Sequence, residues 1–110
     1  MKYVKIKAVS QDPDAPPMEI YAVLESNNRI SSEHRAFGAW GKGNDDYCPF
    51  EFSQGRIDFG SWSEPRYYRF DLDYAPIKEG RELIYSASGY SEPSKTYRVS
   101  KVTEIALRKK

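Results

Sequence analysis

The feature that most constrains the fold is a two-residue alternation of apolar and polar side chains along most of the chain. It is clearest in residues 66–74, RYYRFDLDY. Successive side chains of a β-strand point to opposite faces of the sheet, so this alternation is typical of a half-buried strand. We expect Tyr68, Phe70, Leu72 and Tyr74 to face the core, and Tyr67, Arg69, Asp71 and Asp73 to face outward.

The same period recurs in other segments, which are separated by turn-forming residues. Residues 3–9 and 18–25 alternate cleanly, and the proline-rich QDPDAPP between them cannot belong to a central strand. About seven such strands with short turns predict a mainly β protein, a single small antiparallel β-barrel or sandwich with at most one short helix. A half-open sheet covered by a helix is the alternative.

Two segments leave their local structure open. Residues 29–40, RISSEHRAFGAW, fit either a short helix capped by Ser32 or a strand broken at Gly38. Near the C-terminus, Tyr97 and Val99 share one parity whereas Val102 has the other. This slip predicts a β-bulge near Ser100 and Lys101, with a helix as the alternative.

Length and composition indicate one domain, residues 1–110, that can fold without stabilising disulfide bonds or metal ions. The formal net charge is +1, so there is little long-range attraction to nucleic acid or to an anionic membrane. The N-terminal MKYVKIKAVS lacks the continuous apolar stretch of a secretory signal, and no apolar run is long enough to span a bilayer. A single cysteine, Cys48, favours a reducing compartment. We therefore predict a cytoplasmic protein without membrane contact.

The residue types needed for catalysis or metal binding are sparse. His34 and Cys48 are the only histidine and cysteine, too few for a zinc site and without a nucleophile motif around them. Asp71 and Asp73 would lie roughly 7 Å apart on one strand face. Paired carboxylates can hydrolyse glycosides, but alternating acids are more typical of a solvated strand face. We predict no catalytic residue, no metal and no cofactor, and thus a protein that is not an enzyme.

Aromatic residues are concentrated in residues 47–74, and two of them fall on an outward parity. We assign Phe59 to the core with Tyr68, Phe70 and Tyr74. Outward tyrosine and tryptophan beside arginine have the composition of protein interface hot spots. The predicted binding residues are Trp62, Arg66, Tyr67, Arg69, Asp71 and Asp73. A protein partner is favoured, and the hypothesis is a protein-binding module, such as an inhibitor or immunity-type protein that occludes its partner.

The alternative is a β-barrel that binds single-stranded nucleic acid or a carbohydrate through exposed aromatics and arginines. Small barrels bind single strands through aromatic rings flanked by cations. Arg56, Trp62, Arg66, Tyr67 and Arg69 interleave in that manner. Nucleic acid is not favoured, because acidic residues in the same stretch would repel phosphate, namely Asp58, Glu64, Asp71 and Asp73.

Overall fold

A computed structural model describes residues 1–41, 47–87 and 94–106, which form a closed antiparallel β-barrel of eight strands. The strands are β1 (Lys2–Ser10), β2 (Met18–Leu24), β3 (Ala36–Trp40), β4 (Cys48–Ser53), β5 (Arg56–Asp58), β6 (Tyr67–Phe70), β7 (Glu82–Ala87) and β8 (Lys95–Ile105). Each strand pairs with the next, and β8 pairs with β1. The predicted mainly β barrel is confirmed, with one strand more than the expected seven, and the described residues contain no α-helix.

The barrel interior is filled by the inward parity of the strands. An eight-stranded barrel is just wide enough for side chains to fill its interior. The largest fully buried side chains include Tyr97, Phe52, Phe70 and Met18. The alternation in β1 and β2 was interpreted correctly, because Val4, Ile6, Ala8, Met18, Ile20, Ala22 and Leu24 are all buried. These buried side chains form a packed hydrophobic core inside the barrel.

The predicted bulge in β8 is confirmed. Lys7 of β1 pairs with Lys101, and the next residue, Ala8, pairs with Val99, so Ser100 is the extra residue. Its hydroxyl donates a hydrogen bond to the carbonyl oxygen of Lys7 at 3.2 Å. The extra residue shifts the parity, so that Val102 packs against the same core as Val99.

The ambiguous segment 29–40 ends in a strand. Residues 32–34 form a turn, and β3 follows from Ala36 to Trp40. Gly38 lies inside this strand and does not break it. The loop before β3 passes over β2, where the Ser31 amide donates to the carbonyl oxygen of Val23 at 2.9 Å. Val23 is buried although it has the outward parity of β2, and it lies beside Glu33 and His34 of this loop.

Two expectations for residues 66–74 are wrong, because the strand ends at Phe70. Asp71–Asp73 is a 3-10 turn, so Asp71 and Asp73 do not share a strand face. Leu72 is still buried, but Tyr74 is 79% exposed and does not belong to the core. The physical reason is Arg81, whose guanidinium donates to the carbonyl oxygens of Asp71, Leu72, Ala75 and Pro76 and holds this connection in a bend.

The two ends of the barrel differ in their connections. The C-terminal ends of β1, β3, β5 and β7 lie at one end of the barrel, which we call the mouth end. The opposite end carries the loop before β3, the turn between β4 and β5, and the connection before β7. No helix in the described ranges is both long and apolar enough to cross a membrane.

Candidate functional site

Tyr67 lies on the outer face of the barrel, beneath two arginine side chains. The guanidinium carbons of Arg56 and Arg66 lie 4.2 and 4.9 Å from the centroid of its ring. Arg56 reaches the ring from the neighbouring strand, because Asp58 of β5 pairs with Tyr67 of β6 and Arg56 is two residues away on the same face. Both contacts are cation–π interactions. They hold the Tyr67 ring half-buried on the outer surface, as its parity predicts.

Arg66 is fixed in turn by a two-point ion pair with Asp58. Its Nε donates to Asp58 Oδ1 at 2.9 Å, and one terminal nitrogen donates to Oδ2 at 3.2 Å. The Gly60 amide also donates to Asp58 Oδ1, at 2.8 Å. The hydrogen bond from Arg66 lowers the pKa of Asp58 below its usual value. Arg56, Asp58, Arg66 and Tyr67 form one connected unit, the arginine–tyrosine cluster.

Arg69 lies beside this cluster and directly opposite Arg56 across the β5–β6 pair. Directly opposed like charges destabilise a sheet. Within the described ranges, no carboxylate lies within ion-pair distance of either arginine. A shallow groove of about 680 Å³ follows, bordered by both arginines and by the exposed side chains of Tyr74 and Ile84. Asp71 and Asp73 border the same groove, but neither lies within ion-pair distance of Arg56 or Arg69.

The two predicted acidic residues serve the end of this groove. Asp71 Oδ1 accepts a hydrogen bond from the amide of Ile84 at 2.7 Å, so its carboxylate caps the edge of β7. Asp73 also borders the groove, close to Gly55. The structure therefore places Arg66 and Tyr67 in one cluster, Arg69 beside it, and Asp71 and Asp73 in the turn that follows.

Trp62 does not lie on a strand, and the expectation of an outward strand parity is wrong. β5 ends at Asp58, and Gly60 has a φ of 92°, which turns the chain into the connection before β6. The Trp62 ring is 65% exposed and contacts Phe59 edge to face at a centroid distance of 6.4 Å. It borders a second outer groove of about 410 Å³, together with Phe37 and Arg66.

A row of direct cross-strand neighbours extends the cluster over five strands. From β2 to β6 it runs through Tyr21, Phe37, Glu51, Asp58 and Tyr67. Tyr21 and Phe37 are 47% and 53% exposed. No local sequence pattern points to these two residues, because only the register of β2, β3 and β4 brings them next to Glu51 and the cluster. We call the outer surface formed by this row with Arg56, Trp62, Arg66 and Arg69 the docking face.

A cavity of about 190 Å³ opens at the mouth end of the barrel. Its lining comprises Trp40, Cys48, Phe59, Trp62, Ser63, Tyr68, Tyr85, Ser86, Ala87 and Lys95. Tyr68 and Tyr85 are stacked, with centroids 4.7 Å apart and an interplanar angle of 5°. The sequence analysis missed this site because its residues come from strands and connections that are distant in the chain. Alternation placed Tyr68 inward but did not show that its surroundings open to solvent.

Hydrogen bonds hold the wall of this mouth cavity in place. The Trp40 indole donates to the Tyr97 hydroxyl at 2.9 Å, and that hydroxyl donates to the carbonyl oxygen of Pro16 at 3.1 Å. Burial raises the pKa of both Tyr97 and Tyr85 above the usual value, so both phenols are neutral at physiological pH. The cavity is thus pre-formed and its walls are aromatic.

The residues considered for catalysis are not assembled into a site. His34 Nδ1 forms a hydrogen bond with Ser31 Oγ at 3.0 Å before β3, whereas Cys48 lines the mouth cavity. The pairings Ala36 with Phe52 and Trp40 with Cys48 place them at opposite ends of the β3–β4 hairpin. Among the residues that the structure describes, no three histidine, cysteine or carboxylate side chains cluster as metal ligands.

Comparison of the chain with protein-family models, with curated proteins and with solved structures gave no match.

Proposed function

We propose that this protein is a non-catalytic protein-binding module whose docking face covers a partner protein. The observation that carries the proposal is Tyr67 held beneath Arg56 and Arg66, in a cross-strand row that also contains the exposed rings of Tyr21 and Phe37. Tryptophan, tyrosine and arginine are the residue types that contribute most of the energy of protein interfaces. All three occur together here, with Trp62 beside Arg66.

The rigidity of the arginine–tyrosine cluster supports this function. Binding costs about 0.5–1.5 kcal/mol for each flexible side chain that becomes immobilised. Arg66 is already held by two hydrogen bonds to Asp58 and lies over Tyr67, so less of this entropy remains to be lost. A pre-organised cluster of this kind is therefore well suited to be an anchor.

The charge pattern favours an acidic group on the partner. Arg56 and Arg69 oppose each other, and no carboxylate of the described residues lies within ion-pair distance of either, although Asp71 and Asp73 border the same groove. A carboxylate of the partner between them would relieve their repulsion and form charge-assisted hydrogen bonds. The outer surface of a barrel is convex and fits a concave partner site, so the mode of action that we propose is occlusion, as in an inhibitor or immunity-type protein. The free thiol of Cys48 suits the cytoplasm as the place of action.

A single-stranded nucleic acid is the second candidate ligand for the same surface. Arg56, Arg69 and the Tyr67 ring supply the cations and the stacking platform that such binding uses. The carboxylates of Glu51 and Asp58 lie in the same row and oppose phosphate. This balance favours a protein partner over a polyanion.

The test is quantitative affinity capture from an extract of the source cells, with a matched pair of double variants. Arg56→Ala with Tyr67→Ala removes the centre of the docking face. Tyr47→Ala with Arg98→Ala removes the same residue types from exposed positions outside the docking face, before β4 and on β8. We expect a protein whose recovery falls about tenfold or more with the first variant and is unchanged with the second. Equal recovery of every captured protein by both variants contradicts the proposal.

Nuclease treatment and salt separate the two candidates. A protein complex survives nuclease and weakens only moderately between roughly 50 and 200 mM salt, whereas binding of nucleic acid falls steeply over that range. Loss of all cluster-dependent recovery after nuclease treatment would assign the surface to nucleic acid.

A further inference from the structure

The mouth cavity has the size of a single aromatic ring with a small substituent. Its volume is about 190 Å³. An apolar protein cavity of about 150 Å³ is large enough to hold benzene. A bicyclic cofactor or a nucleotide is too large for this space. A monocyclic compound is not.

The walls favour an aromatic ligand over an aliphatic one. Phe59 packs edge to face against Tyr68 at 5.4 Å, and Tyr68 stacks on Tyr85. Trp62 stands at the rim with most of its surface exposed. Aromatic pairs contribute more than their buried area alone when rings meet edge to face or offset. A ring that enters the cavity meets such partners on several sides.

Lys95 determines the charge that the ligand needs. It pairs with Tyr85 in the β7–β8 register, on the inward parity at the mouth end. It is the charged residue among the described residues that line the cavity, and no carboxylate in the described ranges lies within ion-pair distance of it. Because burial keeps Tyr85 neutral, no phenolate repels an anion there. An aromatic cage for a quaternary ammonium group is excluded by the positive charge of Lys95.

We propose that the mouth cavity is a binding site for a monocyclic aromatic carboxylate, with the ring among the aromatic walls and the carboxylate paired to the Lys95 ammonium. This site goes beyond the docking face, since it is enclosed by the end of the barrel and only Trp62 borders both. The same chemistry occurs in a free small acid and in the C-terminal aromatic residue of a peptide.

The experiment is a titration followed by 19F and 1H–15N NMR, with 4-fluorophenylacetate as the probe. We expect a dissociation constant of about 1 mM or tighter, with shifts in the indole signals of Trp40 and Trp62. Two compounds of similar size control for charge, 4-fluorobenzylamine as a cation and 4-fluorobenzyl alcohol as a neutral compound. The amine should not bind, and the alcohol should bind about tenfold more weakly than the acid.

Variants locate the site and keep the proposal separate from the docking face. Lys95→Met should weaken the acid about tenfold and leave the alcohol unchanged, whereas Lys101→Met on the outer face of β8 should change neither. Ala87→Phe fills the cavity and should abolish binding of both compounds. The docking-face variant with Arg56→Ala and Tyr67→Ala should bind the acid as the unaltered protein does. The proposal is overturned if the folded protein binds neither the acid nor the alcohol. It is also overturned if the Ala87→Phe variant binds them as tightly as the unaltered protein does.

Peptides distinguish the two sources of the ligand. Gly-Gly-Phe with a free C-terminus presents a ring and a carboxylate, and its C-terminal amide removes the charge. Tighter binding of the free peptide than of 4-fluorophenylacetate assigns the cavity to a chain end, and the reverse order assigns it to a free acid.

Discussion

The Phe50 ring can occupy its position only because residue 38 is a glycine and has no side chain. Gly38 lies opposite Phe50 in the β3–β4 register, and the Phe50 ring occupies the space above it. A Cβ atom at this position would lie 2.6 Å from Phe50 Cζ and 2.5 Å from the carbonyl oxygen of Glu19. The first neighbour is a buried ring and the second is backbone, so neither can move without disturbing the core. Gly38 is therefore required for packing and not for turning.

We expect Gly38→Ala to destabilise the protein by about 2 kcal/mol or more, because overpacking forces shifts of ring and backbone. Urea unfolding followed by tryptophan fluorescence measures the change. A Phe50→Leu substitution removes part of the clash, so the double variant should be more stable than the sum of the two single effects. An unaltered midpoint in Gly38→Ala would show that the strands separate there at no cost.

The hydroxyl of Tyr97 forms hydrogen bonds with two other polar groups at the same time. It accepts a hydrogen bond from the Trp40 indole and donates one to the Pro16 carbonyl, within a fully buried side chain. Tyr97→Phe keeps the ring and leaves both groups without their partner. We expect a loss of about 1–3 kcal/mol and a shifted indole proton of Trp40 in the NMR spectrum. Tyr3→Phe, at an exposed position, is the matched control and should have no measurable effect on stability.

At the scale of elements, Arg81 determines the path of the chain between β6 and β7. Its guanidinium donates to Leu72 O at 2.9 Å and to Ala75 O at 2.7 Å, with further bonds to neighbouring carbonyl oxygens. Burial lowers the pKa of Arg81 somewhat, but an arginine remains charged at any pH at which the protein is folded. The Arg81 side chain thereby supplies hydrogen bonds to carbonyl oxygens that would pair with a neighbouring strand if β6 continued.

Arg81→Lys tests whether the planar fork or only the charge is needed. A lysine keeps the charge but cannot reach several carbonyl oxygens in a fixed geometry. We expect a loss of about 2 kcal/mol, since buried carbonyl groups would be left unpaired. The comparison is Arg98→Lys on the exposed face of β8, which should change stability by less than about 0.5 kcal/mol. Equal unfolding midpoints for the two variants would refute the role of the fork.

The success of the alternation rule also differs from element to element. It predicted the buried faces of β1 and β2, the bulge at Ser100 and the outward position of Tyr67. In those stretches the backbone stays extended and paired, so successive side chains do alternate between the two faces. The rule failed at Tyr74 because the bend depends on Arg81, which follows later in the chain. It failed for the strand position of Trp62 because Gly60 ends the extended conformation two residues earlier. The two-residue alternation indicates which side chains are buried only where the chain forms a strand.

At the scale of the molecule, the pairing of the strands and the closure of the barrel bring together residues that no local sequence pattern connects. The docking face combines Tyr21 and Phe37 with Tyr67 only through four successive registers. The mouth cavity combines Trp40 with Lys95, which are far apart in sequence. The barrel and part of the docking face followed from parity, whereas the cavity required the order in which the strands meet.

Alkaline pH should destabilise the whole barrel, since burial disfavours the ionised form of two tyrosines. Burial raises the pKa of Tyr85 and Tyr97 in the folded state above the value of 10.0 expected in the unfolded chain. Their contribution is therefore fully present below about pH 10 and is lost as pH rises toward the folded-state pKa. Each group should lower the free energy of unfolding by roughly 1.4 kcal/mol per pH unit in that window.

Urea unfolding at several pH values between roughly 9 and 11, together with phenolate absorbance, checks this expectation. The Tyr85→Phe variant should show a shallower decline in stability, because one of the two protons is no longer coupled to unfolding. A free energy of unfolding that stays constant across this range contradicts the burial of both phenols.

The pairing of β1 with β8 governs when a nascent chain can complete the barrel. Every other pair joins strands that are neighbours in sequence, but this seam brings Tyr3 to Ile105. Contacts between such distant residues form slowly, because a long loop must close first. Until β8 has left the ribosome, β1 and β7 each present an unpaired edge on which other chains can add strands. The last strand of the barrel is thus the one that protects the first.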